Sequence, residues 1–177
     1  MKTVLLDRDG TLIADPPDER VDSPKKIKLF PDSIAALKYL AENGFKAIII
    51  TNQAGITEGL ISEDQFYAIN AEVMKLLAPS GITFLETYMS PHGSEEVNDW
   101  RKPGPGMLLQ AAKDFDLELK DIYMVGDRTS DVQAGINAGT RTILVKTANV
   151  DVAAPDADYT AATLMDAARY IVKHTAA

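Results

Sequence analysis

Near the N-terminus a short apolar run, Val4-Leu5-Leu6, ends on Asp7-Arg8-Asp9-Gly10-Thr11. Side chains alternate along a strand with period two, so carboxylates at i and i+2 can face one pocket. One such group can hold a metal and attack as a nucleophile, while the other gives and takes a proton. Gly10 lets the backbone turn tightly just past the pair. An ordinary strand exit is also built from Asp, Gly and Thr, so the pentapeptide needs partners elsewhere in the chain.

Three further polar clusters supply them. Thr51-Asn52-Gln53 follows the apolar run Ala47–Ile50. A hydroxyl and neighbouring backbone N–H groups there can hold phosphoryl oxygens; the plain alternative is a capped turn. Arg101-Lys102-Pro103 stands just before a predicted helix, where a lysine makes a cationic, donor-rich place for an anion. The alternative is a solvated lysine. Gly126-Asp127-Arg128-Thr129-Ser130-Asp131 follows Ile122–Val125. Its carboxylates, spaced i and i+4, can share a divalent cation such as Mg²⁺, which takes a few oxygens plus water; otherwise Asp131 only stabilises the first turn of a helix. Together the clusters offer a nucleophile, an acid/base, a hydroxyl, a lysine and metal carboxylates. Phosphoryl transfer needs an in-line nucleophile and charge neutralisation, and this set provides both.

The elements that must position these groups alternate between strand and helix. Strands are predicted at 3–6, 45–50, 82–89, 122–125 and 142–145. Helices are predicted from Asp32 or Ser33 to Gly44, from the Ser62-Glu63-Asp64-Gln65 capping box to about Leu77, from Pro105 to about Phe115, from Thr129 or Ser130 to Gly139, and near 164–172. A polar stretch, 147–159, leads to the last of these helices. This order implies an α/β fold, a parallel sheet covered on both faces, with ligands at the carboxyl ends of its strands. A length of 177 residues makes 1–177 one domain by default. The Pro-containing 12–29 segment reads as a loop or flap, and the polar 90–104 segment as a loop on the substrate side.

A net charge of -8 argues against a nucleic-acid or anionic-membrane partner. The chain has no cysteine, which excludes thiolate catalysis, disulfides and cysteine-ligated zinc. Its apolar runs are too short to span a bilayer, and the N-terminus lacks the apolar core of a signal peptide. The expectation is a cytoplasmic protein, a monomer or weak oligomer, acting on a small phosphorylated metabolite.

With these residues in place, the chain resembles the haloacid dehalogenase (HAD) superfamily of phosphohydrolases. Asp7-Arg8-Asp9-Gly10-Thr11, Thr51, Lys102 and Gly126-Asp127 with Asp131 match its four motifs in order, over roughly residues 2–146. The resemblance implies a three-layer α/β/α sandwich with a Rossmann-like sheet. It implies Asp7 as the nucleophile that becomes an aspartyl phosphate, and Asp9 as the group that protonates the leaving oxygen and then activates water. Thr51 and Lys102 would hold the phosphoryl group. Asp7, the backbone carbonyl of Asp9, and Asp127 would bind Mg²⁺, with Asp131 in support. The gaps between motifs leave no room for a large cap domain.

Within the superfamily, residues 51–56 and 101–107 resemble heptose bisphosphate phosphatases. Ala14-Asp15-Pro16-Pro17, Val21-Asp22 and residues 126–131 look closer to histidinol phosphate phosphatases. The first is the leading expectation and the second its alternative. Asn52, Gln53, Arg101 and Arg128 are the implied substrate contacts. Those relatives often carry a zinc loop of three Cys and one His; the corresponding positions here are Ser90, His92, Asn98 and Trp100. One histidine cannot complete a four-ligand structural site, so no zinc is expected, and residues 90–101 would either be ordered by packing, with Trp100 a candidate, or stay mobile. A phospho-accepting receiver domain, of a different class, also clusters Asp, Thr and Lys on a βα fold, but its acceptor Asp lies on a middle strand of the sequence rather than the first.

Overall fold

The computed structural model describes residues 1–18, 20–93, 95, 98–147 and 151–175. The parts of the 12–29, 90–104 and 147–159 segments at Glu19, Ser94, Glu96, Val97 and 148–150 lie outside the described residues. Six strands form one sheet in the order β3-β2-β1-β4-β5-β6, with every neighbouring pair parallel. They are β1 (Thr3–Leu6), β2 (Lys46–Asn52), β3 (Phe84–Ser90), β4 (Tyr123–Gly126), β5 (Arg141–Val145) and β6 (Tyr159–Ala161). The helices are α1 (Ser33–Glu42), α2 (Glu63–Leu77), α3 (Gly106–Phe115), α4 (Thr129–Ala138) and α5 (Leu164–His174).

Both faces of the sheet are covered, which is why its inner strands read as near-continuous apolar runs. Alternation sends Val4, Leu6, Ala47 and Ile49 to one face, with Leu37 and Leu40 of α1, Val73 and Leu77 of α2, and Ala167 and Ile171 of α5. Leu5, Ile48, Ile50 and Met124 point to the other face, with Met107 and Leu108 of α3 and Ala134 of α4. Chain order runs outward from β1 to β2 and β3, then returns to the far side of β1 as β4. The reversal lies between β1 and β4, and a crevice for ligand opens at such a switch point.

The helix ends follow their sequence signals. Ser62 caps α2 through the Gln65 N–H, and the Gln65 side chain accepts from the Ser62 N–H. Gly139 closes α4 with φ 83°. Asp32 precedes α1, but its carboxylate accepts the Met165 N–H at 2.9 Å, tying the starts of α1 and α5 together instead of capping its own helix. Two differences from the sequence expectations are informative. β2 runs on through Thr51 and Asn52, because its pairing with β3 continues to Asn52 opposite Ser90. β6 starts at Tyr159, where the polar stretch ends and no strand is predicted: three residues are too few to show a period, and the strand exists by pairing with β5.

α4 lies close against the sheet at Gly135. A Cβ there would fall 2.5 Å from Thr142 Cγ2 and 2.8 Å from Thr140 Oγ1. Gly135→Ala is therefore expected to destabilise the fold by about 1–3 kcal/mol through overpacking, despite alanine's better helix propensity. Urea melts of the two proteins check this: a midpoint at or above wild type would show that α4 can move away at little cost.

Candidate active site

The polar segments after β1, β2 and β4 and the loop before α3 meet at the carboxyl edge of the sheet. They line a cavity of about 760 Å³ that includes Asp7, Asp9, Thr51, Asn52, Gln53, Arg101, Lys102, Arg128 and Asp131. Asp127 is fully buried beneath it. The structure thus brings the sequence-selected residues into one region.

Its floor is a buried charge cluster. Asp7 continues the β1 ladder, its N–H donating to Val125 O at 2.9 Å. Lys102 Nζ donates to Asp7 Oδ1 and to Ile50 O, each at 2.7 Å, and lies 2.6 Å from Asp131 Oδ1. An ammonium has three protons, and here the protein supplies three acceptors. Asp131 Oδ2 also accepts the Arg128 N–H at 2.9 Å, so this carboxylate both caps α4 and faces the lysine. Burial pushes the Asp7 carboxyl well above its usual range; Lys102 opposes that rise, while Asp131 and Asp127 add to it. Burial works against the Lys102 ammonium too, but the neighbouring Asp131 and Asp7 carboxylates prevail and raise its pKa.

Two glycines let the carboxylates approach. A Cβ on Gly10, whose φ is +85°, would fall 2.4 Å from Asp127 Oδ2. One on Gly126 would fall 2.3 Å from Asp131 Cγ. Asp7, Asp127 and Asp131 each place an oxygen within 4.8 Å of the others. Three buried carboxylates beside one ammonium leave the cluster short of positive charge, and an all-oxygen donor set suits a hard divalent cation.

Asp9 sits at the wall of the cavity and is partly exposed. Arg8 Nε lies 3.2 Å from its Oδ1, and Arg8 Nη2 3.0 Å from its Oδ2. Gln53 Nε2 donates to Asp9 Oδ2 at 2.6 Å and to Thr51 Oγ1 at 2.8 Å, so its amide ties Asp9 to Thr51. Asn52 grips the backbone of Lys102 from both sides: Nδ2 donates to Lys102 O at 3.0 Å, and Oδ1 accepts the Lys102 N–H at 3.1 Å. Both amides hold machinery in place, a role that the Thr51-Asn52-Gln53 signal alone does not disclose.

The rim comes from two segments. The 12–29 flap is closed at its base where Ala14 N–H donates to Lys28 O, and held further along by Lys26, whose Nζ reaches Asp18 at 2.5 Å and Asp22 at 3.0 Å. It meets the core where Arg128 Nη2 lies 3.3 Å from Asp15 Oδ2, and it contributes Arg20 to the cavity. In the 90–104 loop, Trp100 Nε1 donates to Met89 O at 2.9 Å and the ring packs edge-on to Tyr88. Arg101 Nη1 donates to His92 O at 2.7 Å, and its N–H to Asn98 Oδ1 at 2.8 Å. Of Ser90, His92, Asn98 and Trp100, two thus hold Arg101 through polar contacts and one, Trp100, packs. Sequence reasoning missed Arg8, Asp15 and Arg20. For Arg8 a signal existed in its place between two candidate carboxylates; for Asp15 and Arg20 only the flap's position in space reveals it.

Comparison with known proteins agrees with this geometry. A hydrolase family model described as HAD-hydrolase-like matches residues 99–172. D-glycero-beta-D-manno-heptose-1,7-bisphosphate 7-phosphatase from Pasteurella multocida is 38% identical over 153 residues, covering 82% of each chain. The histidine biosynthesis bifunctional protein HisB from Spirosoma linguale is 35% identical over 164 residues; the match takes in 92% of this chain but spans only 43% of that longer protein. The crystal structure of D,D-heptose 1,7-bisphosphate phosphatase from B. bronchiseptica, complexed with magnesium and phosphate, superposes with a TM-score of 0.90 at 30% identity, covering 98% of this chain and 99% of that one. The chain belongs to the HAD superfamily of phosphatases, in the family of the heptose-1,7-bisphosphate 7-phosphatases.

Proposed function

We propose that residues 1–177 act as one Mg²⁺-dependent phosphomonoesterase unit that removes the 7-phosphate of D-glycero-D-manno-heptose 1,7-bisphosphate through an aspartyl-phosphate intermediate. The observation that carries the chemistry is the placement of a buried lysine 2.7 Å from Asp7, with Asp9 two residues on at the cavity wall. Similarity to the Pasteurella multocida phosphatase across four fifths of both chains supports the substrate.

In this mechanism Asp7 attacks phosphorus. Lys102 and the Thr51 hydroxyl stabilise the transferring group, and Asn52 and Gln53 fix those two residues. Asp9 protonates the leaving sugar oxygen, then takes a proton from the water that opens the aspartyl phosphate. Arg101 and Arg128, at the rim, meet the rest of the substrate. Asp7, Asp127 and Asp131, with the backbone carbonyl of Asp9, would hold the magnesium ion, which neutralises charge as phosphoryl transfer proceeds. Histidinol phosphate is the second reading, favoured by the match of nearly the whole chain to part of the bifunctional protein from Spirosoma linguale.

Phosphate release with Mg²⁺ on both substrates tests the assignment. The heptose bisphosphate is expected to show the larger kcat/KM by about a hundredfold, some 2.7 kcal/mol of differential transition-state binding; the reverse ratio would move the protein to the histidinol branch. Asp7→Asn should abolish turnover in a folded protein, and turnover near wild type would remove Asp7 as nucleophile. Asp9→Asn should lower kcat by about 10²–10⁴-fold.

The metal reading has a readout independent of activity. A carboxyl whose pKa is raised on folding binds its proton more tightly in the native state, so stability falls as pH climbs from the ordinary carboxylate range through the raised value. In EDTA, Asp7 should therefore lower the melting temperature as pH rises above the ordinary carboxylate range. Mg²⁺ favours the ionised cluster and should flatten that decline, adding about 2.7 kcal/mol at a hundred times its Kd. Identical melting curves with and without Mg²⁺ would sink the assignment of Asp7, Asp127 and Asp131.

A further inference from the structure

We propose that Arg8 is a positioning residue for this reaction: its guanidinium fork fixes the carboxylate of Asp9, the group read above as the acid/base, and the inference rests on that reading. Arg8 is the bulkiest of the fully buried side chains, at 1% exposure. Buried arginines are rare unless paired, and its acidic partner is Asp9, with Nε on one carboxylate oxygen and Nη2 on the other.

The chain makes this geometry possible by leaving the strand. On a continuing strand, residues 8 and 9 would point to opposite faces. Here the N–H groups of Leu12 and Ile13 fold back onto Arg8 O at 2.9 and 3.1 Å, and that turn lets the guanidinium reach its neighbour's carboxylate. α2 supplies the bed. The Arg8 guanidinium carbon lies 5.1 Å from the centre of the Phe66 ring, and Nη1 lies 3.4 Å from Asn70 Oδ1. Asn70 Nδ2 in turn donates to Thr87 Oγ1 on β3 at 3.2 Å. The fork is thus held by a helix and a strand outside the catalytic loops.

Its effect on Asp9 is asymmetric. Among the described residues, Oδ2 receives both Arg8 Nη2 and Gln53 Nε2, whereas Oδ1 receives Arg8 Nε alone. Oδ1 keeps the greater capacity for a further partner, and the two-pronged contact prevents the carboxylate from rotating the oxygens into each other's places. A lysine could supply the charge but not the fork. A misplacement of about 1 Å in a catalytic group costs about 10²-fold in rate, which sets the scale of the expected effect.

The test is a double-mutant cycle on the metabolite phosphate turned over faster in the substrate comparison. Arg8→Gln should lower kcat by about 10–100-fold while KM stays within about threefold, because the contact acts on a proton-transfer group rather than on ground-state binding. Arg8→Lys should fall between Arg8→Gln and wild type. Added to Asp9→Asn, Arg8→Gln should cost less than about threefold more, since the carboxylate it positions is already disabled. Multiplying losses in the double variant, or a rise in KM as large as the fall in kcat, would overturn the proposal. So would loss of the cooperative melt in both Arg8 variants, which assigns the side chain to stability alone. Near-normal turnover by Asp9→Asn is a distinct outcome, overturning the acid/base reading and this inference with it.

Discussion

The buried contact of Lys102 with Asp7 and Asp131 is the constraint on which the rest of the site depends. Removing charges from water is costly, and the cost is met only when each charge finds partners and hydrogen bonds. The ammonium has its three acceptors, but the carboxylates outnumber it. Burial first, and then the neighbouring Asp131 and Asp127, hold Asp7 above its usual titration range despite Lys102, and the surplus of carboxylates gives the cluster its demand for a cation. It also explains two glycines: at Gly10 and Gly126 the carboxylates occupy the space that a Cβ would need. The charge cluster and the backbone around it are therefore one design, and neither can be altered without the other.

A second grouping stands beside this one with a different logic. Asp9 is partly open to the cavity and is held by donors, not by burial. Gln53 connects it to Thr51, Asn52 connects β2 to the backbone of Lys102, and Arg8 connects it to α2. The extension of β2 through Thr51 and Asn52 makes this possible, because paired backbone on both residues fixes where their side chains start. Residues that sequence patterning assigns to a loop gain their precision from being the last rungs of a sheet.

Much of this was legible in the sequence. Asp7, Asp9, Thr51, Lys102 and the 126–131 segment each follow an apolar run or precede a helix, and a parallel sheet must gather such positions at one edge. Three things were not legible. β6 is too short to carry a period and is created by its neighbour β5. The donor to the Asp32 carboxylate, the Met165 N–H, is 133 residues away, and no local pattern specifies it. Arg8 reads as a charged residue in a turn, and only packing with Phe66 and Asn70 turns it into a buried one. Local chemistry predicts where polar groups collect; which of them face the ligand and which hold each other is settled by contacts distant in sequence.

The floor and the rim of the cavity are held by interactions of different strength. On the floor, Lys102, Asp7 and Asp131 are nearly inaccessible, and their mutual attractions are weakly screened. At the rim, the Arg128 side chain is 50% exposed where it meets Asp15, and exposed pairs of this kind contribute about 0–1 kcal/mol. The Arg128–Asp15 pair thus ties the flap only weakly to the base, and the flap is held chiefly by burial of Leu12, Ile13 and Val21 in the core. The two substrates weighed under the proposed function would present the same phosphate monoester to that base, so the base would not distinguish them. Discrimination must come from the flap and the 90–104 loop, where Arg20, Arg101 and Arg128 stand among Asp15, Glu58 and Asp99 around the cavity. Under the proposed function, that mixture of signs at the rim, more than any feature of the buried carboxylates, is where a choice between the two substrates would be made.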